Sequence, residues 1–119
     1  MTATNLKIRS DKFDTMEFEA SEDLVAGEMR KIEDTVVVVM ASVDSGDDAL
    51  GVYSCTRIIV PKTAASGITF AQFDNVYFDA SAEAVTNSSG GNTLIGRALE
   101  AATAAATEVM IDLKGNLAA

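Results

Sequence analysis

Residues 90–115 read "GGNTLIGRALEAATAAATEVMIDLKG", and the assignment of this stretch decides the fold. Its alanine-rich middle is what helix propensity rewards, yet both flanks alternate between apolar and polar residues as strands do. A helix over 94–113 would place Gly96 in its first turn and Thr103 and Thr107 in its body. Read as a hairpin, "TLIGRALEA" runs to about Ala101, "ATAAAT" turns, and "EVMIDLK" returns with Val109, Ile111 and Leu113 on one face. Met110 and Asp112 then point the other way. Tertiary context routinely overrides a weak alanine preference, and the rest of the chain favours the hairpin.

Upstream, "DTVVVVMASV" at 34–43 is the clearest strand, because a β-branched run is unfavourable in a helix and suits a sheet buried on both faces. "DSGDD" at 44–48 is a turn by composition. "LGVYSCTRIIVPK" at 50–62 alternates and then becomes continuous, and Pro61, unable to donate to a ladder, marks its end. A small-residue loop over 63–74 leads to short strands in "NVYFDAS" (75–81) and "EAVTN" (83–87), followed by a tight turn in "NSSGGN" (87–92). "NLKIR" and "TMEFEA", with Leu6/Ile8 and Met16/Phe18 alternating, read as two short extended pieces. "SEDLVAGEMRK" at 21–31 reads as a turn or a single helical turn around Ala26-Gly27. Short strands with turn signals every eight to twelve residues predict a mainly β domain, a small β-barrel or β-sandwich with little helix. The expected division is an N-terminal arm over 1–15, free to extend, and a single β domain over 16–119.

The 119 residues are one domain's worth of chain, with 48% hydrophobic residues but seven aromatics and no Trp, so Val, Ile, Leu, Met and Ala must build the core. The single cysteine, Cys55, excludes an internal disulfide framework and, with no His to activate it, reads as a small buried apolar residue. The longest apolar run, "VVVVMA", is too short to span a bilayer, and "MTATNLKIRSDK" lacks the apolar stretch of a signal peptide. The expectation is no membrane and a chain that is cytoplasmic when made. Net charge is −9, and residues 21–50 alone net −6, with eight carboxylates against two cations. Nucleic-acid affinity needs clustered Lys and Arg, so this balance argues against a nucleic-acid partner.

The motifs that carry chemistry fail on their spacing. "SSGGNTLIG" lacks the Lys of a phosphate loop. "DSGDDALGVYSC" has Gly46, Ala49 and Cys55 where a calcium loop needs a ligand, a Gly and a Glu. Tyr53, Tyr77 and Phe78 lack the interleaved basic residues of a base-stacking platform. Without His, acid–base work falls to carboxylates, and Asp74 and Asp79, which flank a strand, are the pair a small hydrolase would use. The expectation is no enzyme, no cofactor and no metal, but a binding or structural module.

Four blocks, "VAGE" (25–28), "RIIVPK" (57–62), "DNVYFDASAEAVTN" (74–87) and the 90–115 stretch, together resemble a family of small tailed-phage capsid decoration, or cement, proteins over roughly 16–115. Two departures stand out: Phe78 where the family usually has Trp, and Arg97 where a small apolar residue is common. The resemblance implies a β module similar to lambda-type decoration proteins, often trimeric, whose partner is the major capsid protein on the outer surface of the expanded head. With an N-terminal arm free to extend along the shell and a departure that puts a charge at Arg97, the candidates for capsid or oligomer contact are Leu6, Ile8, Arg9, Phe13, Met16 and Arg97. Family names have also carried a recombinase label, so the alternative is a nucleic-acid-binding recombination accessory.

Overall fold

The computed structural model describes residues 7–10 and 12–116. Nine strands follow one another: β1 (Lys7–Ile8), β2 (Phe13–Glu19), β3 (Met29–Ile32), β4 (Thr35–Val39), β5 (Asp48–Pro61), β6 (Asn75–Asp79), β7 (Ala84–Thr86), β8 (Thr93–Ala98) and β9 (Glu108–Lys114). No helix occurs among the described residues. The strands form one antiparallel sheet in the order β3-β4-β5-β9-β8-β6-β7, with β1 and β2 on the other side of β5. A parallel bridge from Lys62, just past β5, to Val85 in β7 brings the sheet back on itself. The result is the expected small β-barrel, nearly closed.

Strand β5 is the spine. Its first half lies between β2 and β4, and its second half between β1 and β9. At the point where β4 and β9 diverge, Gly115 sits between two backbones: its N–H donates to the Tyr53 carbonyl at 2.6 Å, and its own carbonyl accepts from Val36 N–H at 2.9 Å. A Cβ there would collide with the Val36 carbonyl oxygen. Only glycine lets the two strands share one side of β5 so closely.

The 90–115 stretch is a hairpin. Strands β8 and β9 pair Gly96 with Leu113, Arg97 with Asp112 and Ala98 with Ile111. Val109, Ile111 and Leu113 are buried and Met110 and Asp112 are not fully so, matching the parity of the sequence. Gly96 holds φ at +151°, and a Cβ on it would meet the Asp112 carbonyl oxygen. The alanines form an irregular connection over 99–107, anchored midway by a bridge from Ala102 to Phe70. Strand β8 therefore stops at Ala98 rather than near Ala101, because Ala102 is used for this second pairing.

Burial follows composition. Val36 to Val39 are each 0% exposed: Val36 and Val38 enter the main core with Ile58, Phe78, Ile95, Ile111 and Leu113, while Val39 joins a second cluster with Ala20, Leu24 and Ala49. The segment 21–31 contains no helix: Leu24 bridges to Val43, a turn passes through Gly27 at φ +92°, and Met29 starts β3. One cation is buried with the core. Lys62 is 3% exposed, and its Nζ donates to the carbonyls of Thr63, Ala104 and Ala106 at 3.0, 3.3 and 3.1 Å. It thereby ties the 99–107 connection to the exit of β5, satisfying an ammonium that would otherwise be costly to bury.

Candidate interaction surface

The candidate contact residues fall on two neighbouring regions of the barrel wall. Phe13 and Met16 belong to β2, which pairs with β5 through Phe13↔Cys55 and Met16↔Gly51. Among the described residues β2 has no partner on its outer side, so a row of backbone donors and acceptors is open there. Phe13 is 39% exposed and Leu50, opposite Glu17, is 46% exposed, while Met16 is half-buried. Ile8 in β1 turns inward and packs against the main core, whereas Arg9 is exposed and its N–H donates to the Arg57 carbonyl at 2.8 Å. Leu6 lies outside the described residues.

Arg97 stands apart, on the outer face of β8. Across the sheet Phe13, Cys55, Leu113 and Gly96 share one rung, so two strands separate Phe13 from the Arg97 neighbourhood, about 14 Å at ordinary strand spacing. The Arg97 side chain is exposed and makes no hydrogen bond or ion pair with another described residue. Its cross-strand neighbours are Asn75 on β6 and Asp112 on β9. Asp112 in turn accepts from Lys114 Nζ at 3.0 Å. A bulge in β5 between Cys55 and Ile58 brings Thr56 and Arg57, both exposed, opposite Asp112. A shallow depression of about 270 Å³ lies here, lined by Asn75, Leu94, Gly96, Arg97, Asp112 and Lys114.

Several residues of this surface were not singled out from sequence. Leu94 is 38% exposed beside Arg97. Phe73 is 59% exposed and holds a left-handed φ of +73°, unusual for a bulky residue. Its turn is fixed by neighbours: Asp74 Oδ2 accepts from Ala71 N–H at 2.8 Å, and Phe73 N–H donates to the Ala98 carbonyl at 2.6 Å. Lys114 had a visible signal, since the parity that buries Leu113 turns its neighbour outward. Arg57 had a weaker one in the break of alternation through "CTRII".

Other polar groups serve the fold. Asp79 Oδ1 accepts from Ser81 and Ala82 N–H, capping the β6–β7 turn as Asp74 caps its own. No group of three carboxylate, Cys or His side chains suited to a metal exists among the described residues. Arg30, 13% exposed at its side chain, pairs with Glu22, Glu28 and Glu83 at 3.2–3.5 Å and ties β3 to the β6–β7 turn. Burial pushes the Cys55 thiol above its ordinary pKa, opposed to a smaller extent by a backbone hydrogen bond of Arg57 and by the Lys114 charge and reinforced by the Asp112 charge.

A family model described as phage cement protein matches residues 8–113, from Ile8 in β1 to Leu113 in β9. The chain belongs to the phage cement protein family. Membership ties this cement protein to the phage virion and its capsid, and the β-barrel is the body that presents the surface described above. No curated protein and no solved structure matches the chain.

Proposed function

We propose that the protein binds the outer surface of the expanded phage head and stabilises the shell through contacts with the major capsid protein. Family membership supports the setting, and the observation that carries the mode of contact is the open outer edge of β2 beside exposed Phe13 and Leu50. An unpaired edge next to apolar side chains suits strand addition: backbone hydrogen bonds supply affinity and the side chains supply register. The arm, residues 1–15, and the start of β2 are the segment that extends this edge along the shell, with Leu6, Arg9, Phe13 and Met16 as its contacts, while Ile8 serves the core.

A homotrimer at a three-fold position of the shell would multiply a modest affinity per copy, because three linked contacts act at high effective concentration. The work asked of each copy is then small and requires no chemistry, cofactor, nucleic acid or membrane. The test is heat release of packaged DNA from heads carrying or lacking the protein. Decorated heads should release DNA at a higher temperature, and equal release temperatures would refute stabilisation.

A further inference from the structure

The cations of this acidic chain are unevenly placed. Of its nine Lys and Arg, Lys62 is buried and Arg30 is held by glutamates. Five others meet on one region of the wall. Arg57 and Arg97 face Asp112 from opposite sides, Lys114 pairs with it, and Arg9 and Lys12 are attached to the same β5 bulge by backbone bonds, Arg9 N–H to Arg57 O and Thr56 N–H to Lys12 O. A cluster of carboxylates lies elsewhere. Glu19 pairs with Asp48 across β2 and β5, Ser45 N–H donates to Asp23 Oδ1, and Glu22, Asp44 and Asp47 lie in the same loops. From Asp48 to Arg57 is nine steps of β5, up to about 30 Å along the strand. The molecule is therefore polarised, with a basic belt mid-wall and an acidic end.

We infer that the belt of Arg9, Lys12, Arg57, Arg97 and Lys114 is the shell-facing surface and engages a carboxylate-rich surface of the capsid protein. The inference rests on the cement reading above and names the surface and the partner's chemistry. Guanidinium groups suit discrete carboxylates through paired hydrogen bonds. The belt also carries features of a protein contact: the Arg97 side chain shares its depression with exposed Leu94, exposed Phe73 is bonded through its N–H to Ala98 next along β8, and aromatic and Arg side chains anchor protein interfaces. Asp112 and Asp14, interleaved with the cations, would repel a continuous phosphate track. With the belt on the shell the acidic end faces away, so the charge separation orients the molecule during approach.

The test is titration of expanded empty shells with labelled full-length protein, comparing the natural chain, the double variant Arg57→Glu/Arg97→Glu, and Lys31→Glu as a control at an exposed cation outside the belt. Thermal melting verifies that each variant folds. Exposed pairs are individually weak, and reversal turns attraction into repulsion, so the double variant should bind at least about tenfold more weakly at low salt. Lys31→Glu should bind as the natural chain does, whose affinity should fall as salt rises from about 50 to about 500 mM. Equal binding by the double variant, or salt-independent binding by the natural chain, overturns the inference while leaving the cement reading intact. No binding by the natural chain defeats the cement reading itself. A change in the sedimentation of the free double variant would assign the belt to contacts between copies, and competition by single-stranded DNA but not by polyglutamate would assign it to nucleic acid; either overturns the proposal.

Discussion

Gly96→Ala separates the two readings of residues 90–115 by the sign of its effect. In a helix the substitution would stabilise by about 1 kcal/mol, because alanine is the better helix former. In the hairpin, Gly96 holds φ at +151° and its missing Cβ leaves room for the Asp112 carbonyl. The left-handed backbone costs an alanine about 1–3 kcal/mol, and displacing the β9 backbone costs about 1–3 kcal/mol more, as overpacking does. The sum is about 4 kcal/mol, a large share of the roughly 5–15 kcal/mol that holds a domain together. Unfolding entropy of about 2.1 cal/mol/K per residue amounts to about 0.25 kcal/mol/K for this chain, so the midpoint of thermal unfolding should fall by about 15 °C. Gly90→Ala, where nothing lies within 4 Å of the new Cβ, is the control and should move the midpoint by no more than a few degrees. Calorimetry of the three proteins measures both shifts. A midpoint for Gly96→Ala equal to or above that of the natural chain would refute the paired geometry of β8 and β9.

Lys62→Met removes the buried donor shared by three main-chain carbonyls while keeping the bulk, and should cost about 3 kcal/mol in urea unfolding; a loss below about 1 kcal/mol would show that the ammonium does not pin the 99–107 connection. Because burial raises the Cys55 pKa, above about pH 8.5 the unfolded chain sheds its thiol proton while the folded chain retains it. Stability should therefore decline more steeply from pH 8.5 to pH 9.5 in the natural chain than in Cys55→Ala, as parallel unfolding curves would measure, and identical slopes would contradict a buried thiol. Phe73→Gly relieves the left-handed φ of +73° and should raise stability by about 1 kcal/mol. The same variant should weaken shell binding, and unchanged binding would remove Phe73 from the contact surface.

Side-chain pattern carried much of this fold. The β-branched run at 35–39 names a doubly buried strand because both parities are apolar, and Val109, Ile111 and Leu113 declare the inner face of β9 by alternation. Pro61 closes β5 because it has no N–H to donate to the ladder. Backbone proximity was not legible in the same way: Gly96 and Gly115 look like ordinary glycines until the carbonyls of Asp112 and Val36 are placed against them. Lys62 could not be read as buried, since its three acceptors are main-chain groups that any sequence supplies. Arg97 was visible as a charge on a β strand, but the belt around it was not, because Arg9, Arg57 and Lys114 reach it through pairings of β1, β5 and β9 that lie far apart along the chain. Phe73 gave no signal, as its exposure follows from a turn set by Asp74.

Co-sedimentation of the purified protein with expanded and unexpanded empty shells of its phage tests the central claim most directly. The protein should pellet with expanded shells to a saturating, fixed number of copies and stay in the supernatant with unexpanded ones. Equal recovery with both forms, or with neither, would contradict a cement protein that recognises the mature surface.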